Sequence, residues 1–369
     1  MLATNSNQIN LFGSPDIYEG SYKDIFRYVD FNFSFFSKHD LTKKIGRPDY
    51  PEHALLGALV LKNLALNSSY RTVEAMISQD SELARLVGFD DGDTPSDSTL
   101  RRYFADLTLE KIRMVQECLL KSLQALDYAK GRIIALDSTP MDAHCRSPTK
   151  RGRKAKDPDA KWGKAKCKGG WYFGYKAQVV VDAEDYLPLY SFATPANVSD
   201  QKMVEPFVVP LKKMGCHPEM ALLDAGYDSE KNHLILREQL GCVSLICPNE
   251  RRDKRTFTKK LINYYKKMLY QTTLDKFIPV KKRKKEYRKC CLVLKNEKEY
   301  KMYYKMRIAV EQYFATLKEE LFLEAHNLIG LYNLQKHVAM KCVSMLVIAL
   351  AALRMGVLEA MHSPKYFQH

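Results

Sequence analysis

The chain has 369 residues, 46% of them hydrophobic, which is long for one domain and too apolar for wholesale disorder. Its formal net charge of +15 is unevenly spread: residues 146–176 hold 11 Lys/Arg against 2 Asp/Glu, and residues 251–307 hold 21 against 5. Basicity segregated in this way argues against a generally basic housekeeping protein and for a polyanionic partner bound in a salt-dependent way. Nine cysteines, and no charged and apolar leader in MLATNSNQINLFGSPD, point to a reducing cytoplasm. The longest apolar run, Cys342 to Leu353, is shorter than the ~20 residues of a bilayer span and reads as a buried helix rather than a membrane segment.

Residues 1–45 contain Tyr22, Phe26, Tyr28, Phe31, Phe33, Phe35 and Phe36. That stretch is too aromatic for a tail and suits packing on the next domain or on a second subunit. A helix is predicted to start near Pro51, with Leu55, Leu56, Leu59 and Val60 on its apolar face. A short helix follows around Tyr70–Ile77, and another starts at a Ser or Asp cap just before Leu100, Tyr103 and Phe104. Leu109 to Leu126 is amphipathic. Residues 1–130 therefore read as an all-α domain, and Arg101 and Arg102 suit a helix-turn-helix-like DNA reader. A bundle that only dimerises has the same pattern.

Gly131 opens the second domain, residues 131–369. Ile133, Ile134, Ala135 and Leu136 form a buried strand that ends in Asp137. A polar basic loop follows, with Arg151, Arg153 and Lys154 as candidate DNA contacts. Trp162, Trp171, Tyr172 and Phe173 lie among its cations, a mixture suited to stacking on unpaired bases or to a small local core. YFGYKAQVVVDAE and LPLYSFATPAN read as an antiparallel pair turned at residues 182–186. KMVEPFVVPLKKMG is a helix stopped by Gly215. Met220 to Leu223 is a strand leading into Asp224, a helix runs from about Ser229 to Leu240, and CVSLICPN is a further strand. Residues 250–303 are a long basic insertion of the kind that is functional or disordered. Leu321 to Gly356 reads as helix that covers the sheet.

Between insertion and final helix lies YKMRIAVEQYFATLK, with Tyr304, Arg307, Glu311 and Lys318. At about 100° per residue these four positions fall within roughly 40–60° of one another on a helix. Ile308, Val310, Phe314 and Leu317 supply the apolar face. Asp137, Asp224 and Glu311 are 87 residues apart in each step, so only a folded sheet can bring them together. Carboxylates are disfavoured within strands and costly to bury unpaired. Turn chemistry or helix capping explains one aspartate at a strand end. Two, with a helical glutamate among cations, suggest a divalent-metal site, because clustered carboxylates need a neutralising cation. Mg²⁺ takes oxygen ligands, and a pair of ions suits in-line phosphoryl displacement.

LDS at Asp137, LLDAGYDS at Asp224 and Y-x2-R-x3-E-x6-K from Tyr304 to Lys318 resemble the DDE transposases of bacterial insertion sequences, in the superfamily with that four-residue signature. The likeness runs from about Gly46 to Met355. It implies a ribonuclease-H-like α/β fold: a mixed five-stranded sheet flanked by helices, preceded by the all-α domain. Its first and fourth strands would be adjacent, so that Asp137 and Asp224 meet. It implies that Asp137, Asp224 and Glu311 bind two Mg²⁺ ions, with Mn²⁺ as a substitute. Arg307 and Lys318 would contact DNA phosphates, and Tyr304 would position the strand. The partners implied are double-stranded DNA, both the element's terminal inverted repeats and the target, and a second copy of the chain on that DNA. A nucleoid-associated cytoplasmic enzyme follows, which frees a 3′-hydroxyl and joins it to target DNA. Some family members carry an insertion where residues 250–303 lie.

Ser138 is expected to be a bystander or a support for a metal ligand, since no covalent nucleophile is needed. Asp142, Asp182 and Asp228 rival the nominated aspartates, but they suit a position past a proline, a hairpin turn and a helix cap respectively. The Cys and His spacings do not match a structural zinc site. Two other classes fit the same residues: a metal-dependent nuclease that cleaves without joining, and a domesticated DNA-binding protein.

Overall fold

The structure, a computed structural model, describes residues 20–36, 49–65, 69–90, 92–149, 152, 154–247 and 298–368. Six helices come first: α1 (Tyr22–Tyr28), α2 (Glu52–Leu64), α3 (Tyr70–Gln79), α4 (Ser81–Val87), α5 (Asp97–Asp106) and α6 (Leu109–Ala125). Their starts are written locally. Ser69, Asp80, Ser96 and Thr108 each accept a backbone N–H three residues on, which satisfies a donor the first turn leaves open. Phe26, Phe31 and Phe36 are buried, so the aromatic N-terminal stretch packs as core. Helix α4 is additional to the three expected after α2. Asp80 ends α3 and caps α4, a double role that apolar periodicity does not reveal.

The sheet comprises β1 (Ile133–Asp142), β2 (Lys161–Ala165), β3 (Gly170–Asp182) and β4 (Pro188–Pro195), then β5 (Met220–Leu223) and β6 (Val243–Ile246). Helix α7 (Glu205–Lys213) precedes β5, and α8 (Glu230–Gln239) joins β5 to β6. β1 pairs antiparallel with β3 on one side and parallel with β5 on the other, and β6 lies parallel beyond β5. β4 pairs with β3. Five strands thus form the mixed ribonuclease-H-like sheet, with its first and fourth strands adjacent. β2 is a sixth strand, drawn from the stretch read as loop. Only its Gly163 is buried, so it carries no hydrophobic period to read.

β1 does not stop at Asp137. Its ladder with β3 continues from Asp137–Val179 to Asp142–Gly174, while its ladder with β5 ends at Leu136–Leu223. Asp137 therefore sits where β1 loses one neighbour. Pro140, which has no N–H to donate, lies in this one-sided part.

The Glu311 segment is also divided, into α9 (Lys298–Lys305) and α10 (Ile308–Glu319). Around Met306 and Arg307 the backbone bonds tighten to three-residue steps: Arg307 N–H to Tyr304 O, Ala309 N–H to Met306 O, and Val310 N–H to Arg307 O. The final helix, α11 (Leu331–Met355), is shorter than expected, beginning at Leu331 rather than Leu321. By length and composition it is apolar enough to cross a membrane, yet 83% of its apolar window is buried inside the protein. It packs on α6, β4 and α1, and so joins the helical part and the sheet in one continuous core. Lys336 donates to the carbonyls of Phe104 and Ala105, and Lys341 to Asn63 Oδ1 at 2.8 Å.

Candidate active site

Asp137 and Asp224 follow directly on Leu136 and Leu223, the last paired residues of two adjacent parallel strands. Neighbouring strands lie about 4.8 Å apart, so the register sets the two aspartates side by side where the β1–β5 ladder ends. Asp137 Oδ1 accepts from its neighbour Ser138 N–H at 2.8 Å, and Oδ2 accepts from Arg307 Nη1 at 2.9 Å. Burial pushes the Asp137 carboxyl up to about 6, and the charge of Asp224 pushes the same way. Ser138 N–H and Arg307 pull it back only in part. Asp224 is exposed and accepts from Ala225 N–H at 2.6 Å, capping the tight turn Ala225–Tyr227 that ends β5.

Arg307 also donates to Glu311 through Nη2, and its guanidinium stands 5.7 Å from the Tyr304 ring centroid. Across the break between α9 and α10, Arg307 bonds Asp137 directly, and Tyr304 and Glu311 stand against Arg307. Lys318 points elsewhere: its ammonium pairs with Glu324 at 3.1 Å. Among the described residues no three carboxylate, His or Cys side chains converge closely enough to hold a metal ion. The reason is visible in the bonding, since the Arg307 guanidinium lies between Asp137 and Glu311. The donor set nevertheless fits a hard divalent cation. It offers carboxylate oxygens, and the charge of Asp224 raises the cost of charging Asp137.

A further carboxylate, overlooked in the sequence, stands next to this site. Asp200 Oδ1 accepts from Ser138 Oγ at 3.1 Å and from Lys176 Nζ at 2.9 Å. The fully buried Tyr227 side chain is held well above its usual pKa by burial, with Asp137, Asp200 and Asp224 all raising it further. No local signal marks Asp200, which lies in a turn between β4 and α7. Its only clue is Ser138 beside Asp137. Of the rival aspartates, Asp182 accepts Gly131, Glu184 and Asp185 N–H groups at the hairpin turn. Asp142 pairs with Lys168. Asp228 is buried 3.7 Å from His233 Nε2, and the cap of α8 is Ser229 instead.

The remaining candidates are dispersed. Arg101 and Arg102 are exposed on α5, where Arg101 pairs with Asp97. Lys154, Trp162 and Trp171 are exposed. Arg151, Arg153 and the insertion up to residue 297 lie outside the described residues, and residues 298–303 belong to α9.

A family model described as a transposase DDE domain matches residues 128–347, more than half of the chain, and a second, described as transposase domain DUF772, matches residues 18–106. No curated protein sequence matches closely enough to count as a relative. Among solved structures, a chain in the crystal structure of the Mos1 strand transfer complex is 12% identical, covering 78% of this chain and 82% of that one. Its TM-score of 0.20 is too low to carry an argument.

Proposed function

The chain belongs to the transposase DDE family, and from that membership we propose that it cuts DNA at the ends of its own mobile element and joins the freed 3′-hydroxyls to target DNA. The observation that carries this reading is that Asp137 and Asp224 stand side by side just past the last pair of the β1–β5 ladder, with Arg307 tying Glu311 to Asp137.

In this reading Asp137, Asp224 and Glu311 hold two Mg²⁺ ions, for which Mn²⁺ can substitute. The ions, when bound, activate the attacking oxygen and stabilise the leaving one in an in-line phosphoryl displacement. The protein's own groups orient and neutralise. Arg307 exchanges a carboxylate for a DNA phosphate, a match its planar fork makes well. Lys318 reaches a phosphate further along, and Tyr304 positions the strand. Asp200 and Ser138 hold Asp137 in place through the Ser138 hydroxyl and backbone. Residues 1–130 read the terminal inverted repeats, with Arg101 and Arg102 at the DNA, and bring two copies together. Residues 131–369 perform the chemistry, and Arg151, Arg153, Lys154, Trp162 and Trp171 extend the DNA contact.

The test uses the full chain, a duplex carrying the inverted repeats that bracket its gene, and a pre-cut form of that duplex. Asp137→Ala, Asp224→Ala and Glu311→Ala are each expected to lower cleavage on the order of 10²–10³-fold. The native chain is expected to insert the pre-cut end into a plasmid. Cleavage without insertion would make it a nuclease of this fold. Cleavage that survives Asp224→Ala would remove the carboxylate site altogether.

A further inference from the structure

The ribbon formed by β2 and the start of β3 carries the only two tryptophans of the chain, Trp162 and Trp171. In its antiparallel register Trp162 lies opposite Phe173, and Lys164 opposite Trp171. Alternation along each strand puts these four side chains on one surface. The other surface is closed. Tyr172 is buried there, and a Cβ on Gly163 would stand 2.7 Å from Ala196 Cβ and 2.8 Å from its carbonyl oxygen. The open surface leaves Trp162 44% and Trp171 68% exposed. Phe173 supports the Trp162 ring at 5.6 Å between centroids, and Lys154 and Pro148 line the hollow beside it.

The ribbon is tied to the end of β1 and to the segment after α10. Lys168, in its connecting turn, donates to Asp142 at 2.8 Å and to Glu324 at 2.5 Å, and Glu324 also pairs with Lys318. From Val179, opposite Asp137, to Trp171 is about 26 Å along β3.

We propose that this surface is a stacking platform for unpaired bases of a DNA strand. The proposal rests on the transposase reading and adds the form of DNA that this surface takes. A duplex offers phosphates and base edges, for which lysines suffice. Indole rings held outward on a lysine-bearing ribbon match the exposed faces of unstacked bases, which they accept regardless of sequence. The exposed Lys154, Lys156, Lys161, Lys164 and Lys166 supply the backbone attraction.

Because both tryptophans stand on the platform, the intrinsic indole fluorescence of the full chain reports this surface alone. Titration with a single-stranded oligonucleotide is expected to quench it. The same sequence as a blunt duplex, at equal ionic strength and with binding followed by anisotropy, is expected to bind with little quenching. Trp171→Ala should weaken single-strand binding about 5- to 100-fold and duplex binding far less, while Trp171→Phe keeps most of the affinity. Trp171 is exposed, so neither change threatens the fold. Equal quenching by duplex overturns the proposal, as does single-strand binding that leaves the fluorescence unchanged. An equal loss for both DNA forms in Trp171→Ala also overturns it. Asp137→Ala should quench as the native chain does, so a failed enzyme reading and a failed platform are told apart.

Discussion

Arg307 joins Asp137 to Glu311 through the two arms of one guanidinium, with Nη1 2.9 Å from Asp137 Oδ2 and Nη2 on Glu311. A fixed positive charge therefore lies between two of the three carboxylates proposed to share metal ions. The guanidinium cannot lose its proton, so it leaves the carboxylates only by moving.

Arg307→Ala is expected to destabilise the metal-free chain by about 1.5–3 kcal/mol, the range for hydrogen bonds to charged groups. It also removes the cation that competes with metal, so Mg²⁺ or Mn²⁺ should recover more of the unfolding midpoint in this variant than in the native chain. Cleavage should fall regardless, because the partner proposed for a DNA phosphate is gone. Thermal unfolding with chelator and with metal, in the absence of DNA, checks the first two points. A smaller metal response in the variant would show that Arg307 helps to hold the ions instead.

Asp137→Asn is expected to abolish cleavage and yet stabilise the metal-free protein near neutral pH. The folded chain raises this carboxyl to about 6, so the cost of keeping it charged is full above that pH and vanishes below its ordinary value of 3.8. The shift corresponds to about 3 kcal/mol, of which loss of the Arg307 pair returns part. A gain of about 1–4 °C in the midpoint at pH 7.5, fading toward pH 4, is the expected result. Metal should raise the native midpoint and leave this variant nearly unmoved.

The strand before Asp224 was legible because a short apolar run is closed by a turn glycine, and both ends are local features. The end of β1 was not, because Asp137 lies mid-strand and loses only one of two partners there. A residue's neighbours in a sheet are not written in its own segment. The same holds for the break at Met306 and Arg307, since periodicity counts faces and is blind to a turn that tightens by one residue. Asp137, Asp224, Arg307 and Glu311 could be named because each sits in a local pattern. Asp200 and Tyr227 reach the site only through tertiary packing.

Acid should loosen the joint between α11 and the rest of the core. His337 is buried, and its Nε2 lies 3.0 Å from Leu323 O. Burial depresses its pKa well below 6.5, and Lys341 and His326 add to the effect. The unfolded chain therefore binds a proton that the folded chain refuses, and stability falls as pH drops through about 6.5. His326 and His362 are depressed in the same direction. Unfolding free energy should decline by about 1.4 kcal/mol per pH unit on account of His337 below that point. His337→Gln, which can still donate to Leu323 O, should remove one proton's worth of slope between pH 6.5 and 5. An unchanged slope would place the acid sensitivity elsewhere.

Asp200 tests how far the carboxylate network extends. It accepts both the Ser138 hydroxyl and the Lys176 ammonium, and the Lys176 side chain is only 14% exposed. Asp200→Ala leaves that ammonium without its carboxylate, close to the place where metal should bind. Supporting groups of this kind typically contribute 10–100-fold to metal affinity or activity. The expected result is a cleavage rate lower by about that factor and a higher Mn²⁺ concentration for half-maximal rate. Lys176→Met in the Asp200→Ala background should recover part of the lost stability, because the two residues form one pair and their effects are not additive. If Asp200→Ala lowers stability while the Mn²⁺ requirement and rate stay native, Asp200 serves the fold alone, and the reaction centre ends at Asp137, Asp224 and Glu311.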